Sequence, residues 1–412
     1  MVCWLSGFAQ GWNIEVCHLA AILGHVASLA VLCVLLREMG LSRAVMLIAA
    51  ALVAVHPANA AAVWSVDSCH QTWSTAFGLY ACLLAVRGRL WAWLLPVAIA
   101  ALWKEAGFAW FAAAPALRLM IGANRSTEPS GLVAQVWSER RWLVVGLSGA
   151  VAYLVVRMLL AGHTSLGDAE GRYALSHNPL VWLHNAAMLL GVALVPVDTV
   201  AIFGVAHKLA RGVAPAFFAL PFGAIALFVL VRRLRARSLC LFFGSLMVVA
   251  VMVPHPFIGH VSEMYAHPLT FGLALVGSLS LAAWWPNRST RLTRLAIASM
   301  LAAFLWVDIS KYSEMLATGK RAELFASRNS AFLSPARRRG VCFLPEDFHE
   351  GPGGYSVFQM NTASASGWGK AMVLEWGWGS YDAISFARSP TECAAGALPL
   401  HLAPDGTLRP VN

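Results

Sequence analysis

Apolar runs, broken by short polar or basic connections, recur along most of this chain. A helix crossing the hydrocarbon core of a bilayer needs roughly 20 mainly apolar residues. The pattern predicts such helices at about 17–36, 44–60, 71–86, 90–103, 106–121, 141–161, 213–231, 239–254, 268–285 and 292–309. The stretch 180–200 is apolar too, but Asn178, His184 and Asn185 interrupt its start, and Pro196 and Asp198 its end. After Asp308 the pattern changes. A polar, helix-like stretch from Lys311 to Asn329 leads to Arg337, Arg338 and Arg339. Strand-like runs follow at Ser356–Met360, Ala371–Trp376 and Ala383–Phe386, separated by Gly and Ser. The expected fold is an all-α polytopic membrane protein of about ten transmembrane helices, with a re-entrant or interfacial segment near 180–212 and a small α+β C-terminal region. The expected domains are a transmembrane unit over 1–309 and an extracytoplasmic tail over 310–412.

Composition narrows the class further. Of 412 residues, 59% are apolar and only 12% are charged, where soluble domains carry about 25% charge. So little charge cannot cover a water-facing surface, which excludes an ordinary soluble enzyme, a disordered chain and a DNA-binding domain. The net charge of +10 is therefore read as topology, since Lys and Arg collect on the cytoplasmic side of membrane proteins. Arg37 and Arg43, then Arg87 and Arg89, then Arg118, Arg125, Arg140 and Arg141 fall in three connections. Arg232, Arg233, Arg235 and Arg237 form a fourth group, and Arg288, Arg291 and Arg294 a fifth. Together these hold 15 of the 30 basic residues. The opposite connections hold only Lys104, Arg172, Lys208 and Arg211. This alternation works only if 180–212 does not cross fully, which places the C-terminal tail outside. The first thirty residues have no basic n-region and no A-x-A site, so no cleavable signal is expected there.

The remaining polar residues fall on the other face. His56, His70, His163, His177, His207, His255, His260 and His267 lie in or beside outer connections, as do Asp67, Glu105, Asp168, Glu170, Asp198 and Glu263. Ionisable groups at membrane depth are costly and commonly mark a site or a pathway. Three segments stand out. In Val55-His56-Pro57-Ala58-Asn59 a span ends at a proline, with Trp64, Asp67, His70 and Trp73 just beyond. Trp103-Lys104-Glu105-Ala106-Gly107 interrupts a long apolar run. It reads either as an ion pair marking a tight turn or as an ammonium facing a phosphate, with Glu105 orienting it. Pro254-His255-Pro256, continuing through His260, Glu263, Tyr265 and His267, reads as a shaped outer loop.

These residues resemble the core of the GT-C glycosyltransferases, in particular their protein O-mannosyltransferase-like branch. The runs AAALVAVHPANAAAVWSV and AIAALWKEAGFAWFAAAPAL are similar to that branch's span ending in His-Pro and its pair of spans joined at Lys-Glu-x-Gly. HVSEMYAHPLTFGLAL is similar to its Glu-Arg-Tyr segment, and CHLAAILGHVASLAVLCVLLREMGLSR to its His-bearing span with a basic inner loop. The likeness covers roughly 15–122 and 240–285.

The resemblance implies a membrane glycosyltransferase that moves a sugar from a polyprenyl-phosphate donor to a protein, lipid or polysaccharide acceptor. The reaction would run on the outer face of the bacterial inner membrane. It implies a carboxylate base in the first outer loop and a Lys that stabilises the leaving phosphate. The family places one further span and that acidic loop ahead of the region matching residues 1–40. The loop has no counterpart here, which suits a clipped reading frame, a divergent member or an inactive one. The expected catalytic acids are accordingly Asp67 and Glu263. Lys104, Glu105, His56, His70, Tyr265 and His260 are expected to bind the donor phosphate or sugar. Gly-Arg after the family's His-Pro segment is replaced by Ser68-Cys69, and no 34-residue repeat occurs in 310–412.

No tight metal spacing such as H-E-x-x-H or C-x-x-C occurs, and the mannosyltransferase-like branch works without a metal. No cofactor is expected, although a divalent ion would suit the oligosaccharyltransferase side of the group. Cys17, Cys33, Cys82 and Cys240 lie in apolar runs and read as small hydrophobes. Cys342 and Cys393 are the pair in the outer tail, where an oxidising compartment favours a disulfide. Trp368, Trp376 and Trp378 read as core or membrane-edge anchors rather than a sugar-stacking face. Expected partners are the lipid-linked donor, membrane lipids and the acceptor, with no nucleic acid. The competing functions are a non-catalytic membrane partner, an envelope polysaccharide polymerase or ligase, and a lipid-linked transporter.

Overall fold

The computed structural model describes residues 14–64, 69–125, 132–161, 176–194, 245, 248–249, 263–288, 291, 294–313, 340–345, 384–387, 389–402 and 408–411. The chain divides into two compact units, one of residues 1–198 with 215–308 and one of residues 199–214 with 309–412. The expected spans at 213–231 and 239–254, apart from residues 245, 248 and 249, lie outside the described residues, as do the expected strands at 356–360 and 371–376.

The larger unit is helical. Helix α1 (Ile14–Glu38) and helix α2 (Arg43–Ala54) are joined by a turn that the sequence sets locally. Gly40 takes φ of +76°, and the N–H groups of Gly40 and Leu41 donate to the carbonyls of Arg37 and Leu36. That is a Schellman stop, which needs a residue free of Cβ strain at this position. Ser42 then caps α2, its Oγ accepting from the Val45 N–H at 3.5 Å. Helix α4 (Cys69–Val86) ends the same way, with Gly88 at φ +76° and bonds from Gly88 and Arg89 to Ala85 and Leu84.

Pro57 breaks the next apolar run. A residue before proline is pushed out of the helical region, and His56 accordingly has ψ of 121°. The chain continues as a short 3-10 helix (Pro57–Asn59) and helix α3 (Ala60–Trp64), bent 49° from α2. Helix α5 (Leu94–Trp103), a 3-10 helix (Glu105–Ala109), α6 (Trp110–Arg125), α7 (Leu132–Ser138), α8 (Arg140–Ala161) and α9 (Pro179–Leu194) follow. A 3-10 turn (Glu263–Ala266), α10 (His267–Arg288) and α11 (Arg294–Ser313) come next. The core runs through Leu32, Leu36, Leu79, Trp93, Leu117, Phe271 and Leu275, all fully buried. Outside it, Leu147, Leu159, Leu183, Leu295 and Trp306 are exposed.

Among the described residues, two helices are long and apolar enough to cross a membrane, Val16–Glu38 and Arg294–Ser313, or three if the bent pair α2–α3 is one span. Shorter apolar helices occur at Leu94–Trp103, Ala106–Gly122 and Met264–Leu279.

The helical unit has two chemically different ends. At one, Arg87 pairs with Glu38 at 2.9 Å. Arg118 pairs with Glu139 at 2.7 Å, donates to the Ala85 carbonyl at 2.9 Å and stacks over Trp142. At the other, Cys17, Ala20, Ala21 and Cys69 form a small buried cluster flanked by Trp103. The Trp73 indole N–H donates to the Ala20 carbonyl at 2.9 Å, and Trp73 stacks on Trp103 with ring centroids 6.2 Å apart. Cys17 is disulfide-bonded, which corrects its reading as a small hydrophobe; its other half lies outside the described residues. Cys33 and Cys82 are thiols, Cys82 buried and Cys33 half-buried.

The second unit holds a four-stranded sheet in the order β2-β1-β3-β4, with β1 (Val341–Pro345), β2 (Ile384–Phe386), β3 (Leu398–Leu402) and β4 (Leu408–Pro410). Strand β1 pairs in parallel with β2 and β3, and β3 pairs antiparallel with β4. Val341, Cys342, Phe343 and Leu344 are buried in a row, as a central parallel strand requires. Cys342 is joined to Cys393 by a disulfide across a separation of 51 residues.

Candidate functional site

Of the residues expected to act, Lys104 and Tyr265 are brought together, at the end of the helical unit opposite the Arg87 and Arg118 ion pairs. Lys104 is where α5 stops: its backbone is extended, φ −149° and ψ 136°, before the 3-10 helix begins. The last carbonyls of α5 are satisfied from neighbouring helices, as a buried helix end demands. Ser74 Oγ on α4 donates to Ala100, and Tyr153 OH on α8 donates to Ala101, at 2.9 and 3.1 Å. Arg157 in turn donates to Tyr153 OH. Gly107 closes the turn. A Cβ at Gly107 would collide with the backbone of Ala100 and Ala101, so only glycine lets the chain fold back this tightly.

This turn presents Lys104, half-buried, to the ring of Tyr265, with Nζ 5.8 Å from the ring centroid. That is inside the range of a cation–π contact. Tyr265 is itself buried, at 5% exposure, within the turn Glu263–Ala266. The turn packs on the 3-10 helix Pro57–Asn59, on α3, on α9 and on α10. The His-Pro segment, Lys104 and the Glu263–Tyr265 segment are thus neighbours in space.

His56 is buried and serves its own loop. Its Nδ1 accepts the Ala58 N–H at 3.1 Å, capping the 3-10 helix, while its ring meets Phe304 edge-on. His70 lies half-buried near the start of α4. Glu105 and Glu263 begin the two 3-10 helices, and their side chains lie outside the described part of the molecule. Asp67 and His260 also lie outside the described residues. Among the described residues no three His, Cys, Asp or Glu side chains are grouped to hold a metal ion.

A buried polar chain runs beside these groups; Asn59 and His267 fall in segments that stand out in the sequence, while His25, Thr75 and Thr270 do not. His25 Nδ1 and His267 Nε2 are 3.0 Å apart, and His267 Nδ1 lies 3.0 Å from Thr75 Oγ1. Thr75 Oγ1 is also 2.9 Å from the Gln71 carbonyl oxygen. Thr270 Oγ1 lies 3.1 Å from Asn59 Oδ1 and 2.8 Å from the His267 carbonyl, so its single proton is shared between them. Asn59 Nδ2 donates to the Val53 carbonyl at 2.7 Å, near the open end of α2. The start of α10 is thereby tied to the break after α2. The available signal was a His in mid-run on α1 and another at the start of α10. Only their pairing gives it meaning.

No family model, curated protein or solved structure matches the chain.

Chemically, the end of the unit offers one cation held against an aromatic face and stacked indoles beside it. Next to them lies an uncharged hydrogen-bond chain shielded from water.

Proposed function

We propose that the chain is a polytopic membrane glycosyltransferase of GT-C type. It moves a sugar from a polyprenyl-phosphate donor to a protein, lipid or polysaccharide acceptor. The observation that carries this reading is the approach of Lys104 to Tyr265 at 5.8 Å. It unites two segments chosen independently from the sequence. An ammonium at the rim of an apolar unit suits a phosphate whose charge grows as the glycosidic bond breaks. Tyr265 and the stacked Trp73 and Trp103 suit the faces of a sugar ring. Asp67 or Glu263 serves as the base that deprotonates the acceptor.

In this reading the chain spans the bacterial inner membrane about ten times, with 180–212 re-entrant and the C-terminal tail outside. Two observations support the sidedness. The ion pairs of Glu38, Arg87, Arg118 and Glu139 gather at one end, as cytoplasmic loops rich in Arg would. The disulfide-bonded Cys17 belongs to the other end, as an oxidising compartment requires.

The test is transfer from a radiolabelled polyprenyl-phosphate sugar in membranes carrying the full chain. Lys104→Ala is expected to lower turnover about 10²-fold, the scale of losing one donor aimed at a developing anion. Full turnover in that variant would sink the phosphate role.

A further inference from the structure

Four polar side chains are buried in succession near the start of α4: Gln71, Thr72, Ser74 and Thr75. Three of them are bonded. Thr72 Oγ1 donates to the Cys69 carbonyl, Ser74 Oγ to the Ala100 carbonyl, and Thr75 Oγ1 lies between the Gln71 backbone carbonyl and His267. Gln71 differs. It is 2% exposed, and its side-chain oxygen Oε1 is enclosed with no hydrogen-bond partner among the described residues. An amide oxygen buried in this way costs free energy that an apolar side chain of the same length, such as Met, would not. Native interiors hold few such groups, so one that faces a candidate site marks an acceptor left for a donor from outside the chain.

Helical geometry fixes where Gln71 faces. Residues three and four apart lie on one face of a helix, one turn from each other. Gln71 is three residues before Ser74 and four before Thr75, so it stands on the stripe between them, one turn nearer the start of α4. Ser74 marks the side of that stripe toward the end of α5, with its bond to Ala100 at 2.9 Å. Thr75 marks the side toward the start of α10, with His267 Nδ1 at 3.0 Å. Gln71 therefore faces the gap between the end of α5 and the start of α10. One turn past Ala100 stands Lys104, and two residues before His267 stands Tyr265. Their approach at 5.8 Å spans the same gap. Each of these steps leads away from the arginine end, where α4 finishes beside Arg87.

We propose that Gln71 binds the donor sugar, its Oε1 accepting a hydrogen bond from a ring hydroxyl in the gap bridged by Lys104 and Tyr265. The inference deepens the transferase reading above and rests on it. The chemistry of the unpaired atom selects the ligand group. Oε1 is an acceptor and needs a proton donor. The phosphate that joins a sugar to a polyprenol is ionised at neutral pH and has no proton to give, and the lipid tail has none either. A sugar hydroxyl does. A buried acceptor also discriminates, because a ligand without the matching hydroxyl leaves it unpaired in the complex. Gln71 thus sets specificity for the ring, while Lys104 serves the phosphate whatever ring it carries.

The test is equilibrium binding of undecaprenyl phosphate to the full chain in detergent micelles, with the lipid either bare or carrying mannose, glucose or galactose. The parent chain is expected to bind at least one sugar-bearing lipid more tightly than the bare one. Gln71→Met should reduce that preference about tenfold, the scale of one net hydrogen bond, and leave the affinity for the bare lipid unchanged. Lys104→Ala should weaken bare and sugar-bearing lipids alike. The melting midpoint of unliganded Gln71→Met is expected to be no lower than the parent's, because the variant removes an unpaired amide. A full sugar preference in Gln71→Met overturns the role of Gln71 and leaves the transferase reading standing. A lowered midpoint with both affinities reduced alike makes Gln71 a structural residue and overturns it too. A parent chain that binds none of the sugar-bearing lipids more tightly than the bare one overturns the transferase reading, and this inference with it.

Discussion

His25 Nδ1 and His267 Nε2 lie 3.0 Å apart, joining residues separated by 242 positions in the chain. His267 is fully buried and His25 nearly so, so neither ring can replace its partner with water. Their bond fixes α1 against the start of α10, two residues after Tyr265. Buried polar groups cost free energy unless they are bonded, which makes this pair a structural commitment as well as a chemical one.

Removing one partner should therefore cost more than removing an apolar residue of the same size. His267→Ala leaves His25 Nδ1 and Thr75 Oγ1 without their shared partner and opens a cavity. The loss is expected to be about 3 kcal/mol. Thermal unfolding in detergent, followed by tryptophan emission, should show a clearly lowered midpoint. An unchanged midpoint would mean that water enters the space and bonds the orphans.

Gly107→Ala should damage the site from outside it. The new Cβ collides with the backbone of Ala100 and Ala101, which cannot swing aside as a side chain can. Overpacking of this kind costs roughly 1–3 kcal/mol. It should also displace Lys104, three residues earlier, from Tyr265. Gly78→Ala is the control, because its Cβ meets the Trp110 side chain rather than the backbone of Ala100 and Ala101. Both variants are expected to lose stability in a thermal scan. Only Gly107→Ala should lose transfer beyond what its lowered stability accounts for.

Some features of the chain were legible in the sequence because their signals are local. The basic loops, the break at Pro57 and the stop at Lys104 each follow from a few adjacent residues. So does the strand Ile384–Phe386, which falls within the expected run at 383–386. What escaped notice is what depends on folding. His25 sits in an apolar run and reads as an isolated polar residue until α10 brings His267 beside it. His56 reads as a site residue, and its capping of Ala58 shows only once the backbone turns. Strand β3 (Leu398–Leu402) contains Pro399 and has too short an alternation to signal a strand, yet the parallel partner β1 gives it a register. The disulfide-bonded state of Cys17 likewise has no local signature.

The two ion pairs of the arginine end should differ sharply. Arg87 and Glu38 are well exposed, at 47% and 32% of their side-chain surface, and exposed pairs contribute about 0–1 kcal/mol. Arg118 is 25% exposed and Glu139 20%; Arg118 also bonds the Ala85 carbonyl and stacks over Trp142 at 4.4 Å. Arg118→Ala is expected to destabilise the helical unit by about 2 kcal/mol, and Arg87→Ala by under about 1. Equal shifts in a thermal scan would count against this ranking.

The Cys342–Cys393 bond should govern the tail unit alone. Closing a separation of 51 residues stabilises by roughly 4 kcal/mol on the chain-entropy view. Cys393→Ser is expected to make the sheet readily cleavable by chymotrypsin after Phe343, on β1, while the fragments of the helical unit are unchanged. Protection at Phe343 equal to that of the parent chain would mean that the parallel pairing of β1 with β2 and β3 suffices without the bond.

Sidedness can be decided by two single positions. Arg89 and His177 are both exposed; the first follows the Schellman stop of α4, and the second precedes α9. If the arginine end faces the cytoplasm, Arg89→Cys in inverted vesicles should react with a membrane-impermeant maleimide, and His177→Cys should react only in right-side-out cells. The parent chain supplies the background from its own thiols, of which Cys82 is buried and Cys33 half-buried. Labelling of both positions from the same side would remove the basis for the proposed topology. A lysine and a tyrosine at one end can serve an outer-leaflet donor only if that end is outside. The labelling pattern therefore bears on the transferase reading as directly as a turnover assay does.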